Sequence, residues 1–398
     1  MLYPRWLETS RRLAARIAVI DETGRSWTFA DLTERVEAEP PAHSPVIART
    51  GSVEFFVAIL RAWRNGQAAI PVERDAPEPV LLSPPPPGTK LVKHTPGAAG
   101  IPRGIFFDDA RLIADGDRIT AAMNLTADRP NLGVVSLAHS YGFSNVVLPL
   151  ILRGVPVHLL PAPFPRMVVE ACAAHESVVI AAVPSMWRAW HRAGILPGLP
   201  VALAVSAGAP LALELEREVF ASAGLKLHNF YGASECGGIS FDATDRPRES
   251  ADDAGTPLPG VNVSVDPGGR LLVASDAVAS SYDITREGDA LGNGRYLTHD
   301  LGQIDGQGRV RLHGTTGGAI NVAGRKVSPA KVEAALLATG LVKRVRVSGR
   351  ASSDPERVEE IAAHVELQCG ASLDQLKQAA QLANWELPRH WERWSSFE

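Results

Sequence analysis

The sequence predicts an α/β fold for this 398-residue chain: a large N-terminal domain of parallel sheets flanked by helices plus a β-rich subdomain, and a small C-terminal α+β lid domain. Three observations predict it. Short β-rich apolar runs alternate with amphipathic helical patterns, as in strand–helix–strand units with mostly parallel strands. From about Val261 the pattern changes to short strands joined by glycine turns (PGG, DGQG). The last 80 or so residues then form a separate helix-and-strand block.

Each element has a local reason. Val53, Phe56, Val57 and Leu60 recur at helical spacing, and Gly66 stops that helix. LGVVSL (132–137), VVIAAV (178–183) and VALAV (201–205) read as buried strands running into polar or Gly/Pro loops. Pro210 marks a helix start, Leu211, Leu215 and Val219 its apolar face, and Gly224 its end. The prolines at 84–87 make a stiff loop inside the first domain rather than a linker. Near the C-terminus Ser328 and Pro329 start a helix that Gly340 ends, and Val342, Val345 and Val347 alternate as a strand. Ser372 and Gln375 form a capping box for a final helix. Gly317 and Gly318 are the hinge candidate, giving domains 1–316 (β-rich subdomain about 255–316) and 317–398. Trp187, Trp190 and Trp385 are assigned to core or interdomain packing, and Trp391 and Trp394 to the face of the small domain.

Composition narrows the function classes. A net charge of -4 spread over the chain gives no field that favours nucleic acid or an anionic membrane. No apolar run has the length of a signal peptide or a membrane span, so a cytoplasmic location is expected. Cys172, Cys236 and Cys369 lie far apart, which argues against a disulfide framework or a structural zinc site. Only seven of the 40 basic residues are lysine, so candidate catalytic lysines are few.

The first informative string is NFYGASE at 229–235. A strand that turns on a glycine delivers the following side chains to a sheet rim, where α/β folds bind ligands. Tyr231 offers a flat face, Ser234 a hydroxyl and Glu235 a hard oxygen ligand for Mg²⁺. An ordinary turn reads the same way, and a second string is needed to decide. That string is YLTHDLG at 296–302, followed by a DGQG turn and INVAGRKVSPAKVEAAL at 320–336. Cys236 has no partner base placed by the sequence, and the histidines that a metal dyad at His299 and Asp300 would need are not spaced for it.

This ordered series resembles the adenylate-forming superfamily of acyl-CoA synthetases, peptide-synthetase adenylation domains and luciferases, which carries Y-x-T-G-D-L-G, a D-G turn, I-[KN]-x-x-G and a Pro-initiated helix. SAGAPL (206–211) is similar to the family's adenine-edge loop, TPLPGVNVSV (256–265) to its G-x-P-L-P-G-V segment, and LAHSYGFS to its His-x-x-Gly. The resemblance implies ATP-dependent activation of an aromatic or medium-chain carboxylic acid as an acyl-adenylate, with transfer to CoA or to the phosphopantetheine of a carrier protein. It places Tyr231, Gly232, Gly208, Ala209 and Pro210 around adenine, Asp300 on the ribose, Ser234 at the α-phosphate and Glu235 on Mg²⁺. Thr95, Gly97, Gly100 and Arg103 fall on the phosphate loop, and His139, Tyr141, Phe230 and Gly232 on the acid pocket. The implied catalytic set is His139, Ser234, Glu235 and Arg103.

The chain departs from the family pattern where phosphate charge is neutralised. TPGAAGIPRG (95–104) has Ala98 and Ala99 for hydroxyl residues and Arg103 for lysine. Gly314, Thr315, Thr316 and Gly317 stand at the family's G-R-x-D, and His299 at a glycine. LPRHWERWSSFE at the end resembles the segment before the family's terminal lysine, and none of Lys326, Lys331, Lys343 or Lys377 matches that position. The alternative expectation is therefore an impaired relative that binds nucleotide or an acyl or aryl ligand as a scaffold.

Overall fold

The computed structural model describes residues 1–95, 103–286, 289–315, 320–323, 325–352 and 358–393. The fold is mixed α/β with several sheets, and the chain divides into two compact units. The first comprises residues 1–94 and 104–314, the second 95–103 and 315–398. Gly317 and Gly318 lie outside the described residues.

The centre of the first unit is a nine-stranded sheet. Its inner strands Ile17–Ile20, Val157–Leu159, Asn131–Gly133, Val178–Ala182, Val201–Ser206 and Leu227–Ala233 pair in parallel. Gly237–Phe241 and Thr256–Pro257 extend it in antiparallel fashion at one edge. The loops after Gly133, Ala182, Ser206 and Ala233 therefore emerge at one rim, at the carboxyl ends of the strands. A second sheet orders Ser281–Tyr282, Arg103–Phe107, Leu91–Thr95, Ala69–Val72 and Val46–Arg49. The β-rich stretch forms an antiparallel sheet of Asn262–Val265, Arg270–Ala274, Arg295–Ile304 and Leu291–Gly292, with Val310–Thr315 paired to Arg295–Ile304.

Most expected elements form for the reasons given. Glu54–Arg64 is a helix with Phe56, Val57 and Leu60 buried, and Gly66 follows it at φ +72. Trp187 and Trp190 pack edge to face in the core, centroids 5.1 Å apart. Three expectations change. LGVVSL is a strand only to Gly133, because the amide of Val134 turns back to the Leu132 carbonyl at 2.9 Å and the chain leaves the sheet. The helix after Pro210 is Leu213–Ala223, starting later than the proline, while Leu211 still packs in the core and Gly224 caps the end in the left-handed region. Trp385 is not core: it is exposed, and the Arg325 guanidinium lies 4.2 Å from its ring centroid.

The second unit has its own core of Val332, Leu336, Val347, Ile361, Val365 and Leu376, with Trp391 packed against it. Ser328 caps the helix Pro329–Ala338, and the Ser372–Gln375 capping box opens Leu373–Ala379. Val342–Ala351, Glu359–Leu367 and His390–Arg393 form its three-stranded sheet. Among the described residues no helix is long and apolar enough to cross a membrane.

Candidate functional site

The site of the first unit is built on the hairpin of Leu227–Ala233 and Gly237–Phe241. Gly232 faces Gly238 in its register, and the ladder shifts between Tyr231 and Gly232. A Cβ on Gly232 would lie 2.7 Å from the Gly237 carbonyl oxygen, so the strands approach this closely only with glycine there. That crossing turns 234–236 out of the sheet and leaves Ser234 and Glu235 half-buried at the rim.

Tyr231 Oη donates to Asp300 Oδ2 at 2.5 Å, and burial and the Asp300 charge push the phenol well above its ordinary value. Asp300 comes from Arg295–Ile304, where its amide donates to Oγ1 of the buried Thr298 at 3.1 Å. Residues 69 positions apart, one from each of the two motifs, are thereby brought together. Glu235 Oε1 accepts from Tyr282 Oη at 3.1 Å, and the Glu235 carbonyl accepts from the Ala279 amide at 2.8 Å. Burial raises the Glu235 carboxyl, opposed by hydrogen bonds from Tyr282 and Tyr296. Gly208 follows Val201–Ser206 at φ +81 on the exposed rim, with Ala209 half-buried and Pro210 exposed.

Two of the residues expected in the acid pocket, Phe230 and Tyr141, are in contact. Phe230 is buried, and its ring stacks on Tyr141 with centroids 6.2 Å apart. Tyr141 Oη donates to the carbonyls of Val205 at 3.2 Å and Ala182 at 3.4 Å. His139 is exposed before the short helix Ser140–Gly142, its Nε2 3.6 Å from Glu73 Oε1. Gly142 is required sterically, since a Cβ there would lie 2.1 Å from the Ser136 carbonyl oxygen. Thr95 ends Leu91–Thr95 and Arg103 begins Arg103–Phe107, while Gly97 and Gly100 lie outside the described residues.

Mg²⁺ takes one or two carboxylates and completes its shell with phosphate oxygens and water. Among the described residues no group of three or more His, Cys, Asp or Glu could hold a metal alone. A single half-buried carboxylate, raised by desolvation, fits a cation that arrives with phosphates.

Sequence reasoning missed Glu73, Lys93, Asp115 and Tyr282. A signal existed for Asp115: it shares the stripe Leu112, Gly116 and Ile119 on the helix Asp109–Ala122, an acid on a buried face.

Comparison with known proteins identifies the family of the chain. The chain is 26% identical over 311 residues to the uncharacterized acyl–CoA ligase YhfT of Bacillus subtilis, covering 75% of this chain and 63% of that protein. It is 24% identical over 329 residues to the long-chain-fatty-acid–CoA ligase of Bacillus subtilis, covering 76% and 58% respectively. The chain thus spans between 58% and 63% of the length of these curated relatives. Its fold is that of o-succinylbenzoate CoA synthetase (MenE) of Bacillus subtilis, TM-score 0.81 at 19% identity, covering 99% of this chain and 95% of that one. Residues 75–282, more than half of the chain and including the Tyr231–Glu235 hairpin, match the AMP-binding enzyme family. The chain belongs to the AMP-binding enzymes, the adenylate-forming superfamily.

Proposed function

We propose that this chain, as a cytoplasmic enzyme, activates a carboxylic acid with ATP and passes the acyl group to a thiol of CoA or of a carrier protein's phosphopantetheine. A carboxylate oxygen attacks the α-phosphorus, the bond to pyrophosphate breaks, and an acyl-adenylate forms. The thiol sulfur then attacks the acyl carbon and AMP leaves. The observation that carries this reading is the hydrogen bond from Tyr231, on the hairpin that also carries Glu235, to Asp300 on Arg295–Ile304.

Each residue has a defined task. With its hydroxyl held by Asp300, the Tyr231 ring is fixed to stack on adenine, flanked by Gly208, Ala209 and Pro210. Asp300 keeps Oδ1 for the ribose hydroxyls, which a carboxylate accepts from and an amide does not match. Ser234 would donate to the α-phosphate, and Glu235 would hold Mg²⁺, which would supply charge neutralisation there. Thr95, Gly97, Gly100 and Arg103 carry the remaining phosphate contacts. The stacked Tyr141 and Phe230, with His139 and Gly232, suit an aromatic or medium-chain acid. Residues 1–316 are assigned the nucleotide chemistry and 317–398 the lid.

Carboxylate-dependent pyrophosphate exchange across a panel of acids tests this. The wild type is expected to exchange with at least one acid, and Asp300→Ala to lose about 100-fold. ATP binding without exchange for any acid would overturn it.

A further inference from the structure

Behind the hairpin turn lies a buried polar chain that the nucleotide and acid contacts do not use. Lys93 is 2% exposed, Asp115 3% and Ser144 3%. Lys93 Nζ donates to Ser144 Oγ at 3.5 Å, and Ser144 Oγ donates to Asp115 Oδ2 at 2.5 Å. Asp115 Oδ1 accepts the Gly238 amide at 3.0 Å, immediately after the turn that carries Ser234 and Glu235. The approach is sterically built. Gly237 sits at φ +70, and a Cβ there would lie 2.2 Å from Asp115 Oδ1.

The three side chains come from three elements. Lys93 lies in Leu91–Thr95, which runs into the phosphate loop. Ser144 lies in the π-helical turn Phe143–Val147, directly after the His139–Gly142 segment. Asp115 lies on Asp109–Ala122. Among the described residues this buried ammonium has one long hydrogen bond and the Phe107 ring at 4.7 Å, little compensation for its desolvation. Its neighbouring charges are Asp115 and Glu235, with the Cys236 thiol beside them. Removing Lys93 leaves Asp115 without its counter-charge, and removing Asp115 leaves the Gly238 amide without an acceptor.

We propose that Asp115, backed by Ser144 and Lys93, is a positioning residue that sets the height of the Ser234–Glu235 turn relative to the acid-pocket segment. The catalytic consequence rests on the function proposed above, while the anchoring of the turn does not. Misplacing a phosphate-side ligand by a fraction of an ångström lowers turnover more than ground-state binding.

The test has two readouts. The first is amide hydrogen exchange. In Asp115→Ala, which removes the acceptor, residues 234–239 are expected to exchange about fivefold faster or more, with Val178–Ala182 unchanged. Ser144→Ala is read in parallel and is expected to move the same segment less. It carries the test should Asp115→Ala not fold. Unchanged exchange at 234–239 in the folded variants overturns the proposal. The second readout is pyrophosphate exchange. Asp115→Ala and Lys93→Met are each expected to lower kcat by about 10- to 100-fold with the KM for ATP within about threefold. The double variant is expected to lose less than the product of the two. A rise in KM at constant kcat, or fully multiplicative losses, also overturns it. If the wild type exchanges no pyrophosphate, the proposed function fails, and the hydrogen-exchange result still decides the anchoring.

Discussion

The hairpin 227–241 is held by buried charge at both ends, and the two ends are satisfied very differently. At its open end Lys226 donates to Glu216, to Asp242 at 2.7 Å and to the Leu227 carbonyl at 3.1 Å. Arg248, wholly buried, donates from Nε to Glu216 at 2.8 Å and from its other nitrogens to the carbonyls of Asp253 at 2.6 Å and Leu211 at 2.7 Å. Arg309 closes the cluster on Asp242 at 3.0 Å and Asp253 at 2.7 Å. Acids and bases balance, and each buried cation meets several acceptors. At the turn end Lys93 has, among the described residues, one long hydrogen bond and an aromatic face. A saturated cluster fixes a structure, because removing a member leaves a buried charge short of a partner. A less saturated one costs stability, and this one lies beside the turn that carries Ser234 and Glu235.

The comparison is broken most severely at the saturated end. Glu216→Ala removes the carboxylate that Lys226 and Arg248 share, leaving Arg248 without a carboxylate partner and Lys226 with Asp242 alone, and is expected to destabilise the fold by about 3–5 kcal/mol in urea unfolding, with nucleotide affinity per folded molecule unchanged. A comparable loss of affinity in the folded fraction would show that this end also shapes the site. At the turn end, Gly237→Ala pushes a methyl into the Asp115 carboxylate in a left-handed backbone conformation. A loss of about 1–3 kcal/mol is expected, accompanied by slower pyrophosphate exchange. Tyr231→Phe removes the hydrogen bond to Asp300 and should cost only about 0.5–1.5 kcal/mol. Its signature is weaker ATP–Mg²⁺ stabilisation in a thermal shift rather than a large drop in the unliganded Tm.

The smallest effect is a pH slope away from both ends. His158 Nδ1 and His175 Nε2 lie 3.0 Å apart, and burial lowers both imidazoles below the ordinary 6.5. The unfolded chain therefore binds protons first. Stability from this pair is complete above the ordinary value and falls as the pH drops through it toward the folded-state values. Melting between about pH 7.5 and 5.5 should show a shallower decline in His158→Asn than in the wild type. Equal slopes would place the acid sensitivity elsewhere.

Part of the candidate site's assembly is legible in the sequence. The two strings around Tyr231 and Asp300 named residues that the fold joins at 2.5 Å, because a strand-end glycine and a strand-borne carboxylate leave local signatures. The helix ends at Gly224 and Ser328 were legible for the same reason. The Leu132 strand was over-read, since an apolar run does not say where a strand leaves its sheet. Trp385 was misplaced because an aromatic in a helical pattern does not reveal a cation over its exposed face.

Sequence alone determined the class of fold, the order of motifs and the candidate residues at the sheet rim, since those depend on residue type and short-range spacing. Only the tertiary structure decided which charges lie beneath them. Lys93 and Asp115 are 22 positions apart and Asp115 and Gly238 are 123 apart. Their meeting is set by packing of a helix against a hairpin, which no local pattern encodes. The same holds for Glu216, Lys226, Asp242 and Arg248: each reads as a surface charge in the sequence, and becomes a buried partner only when its neighbours exclude water.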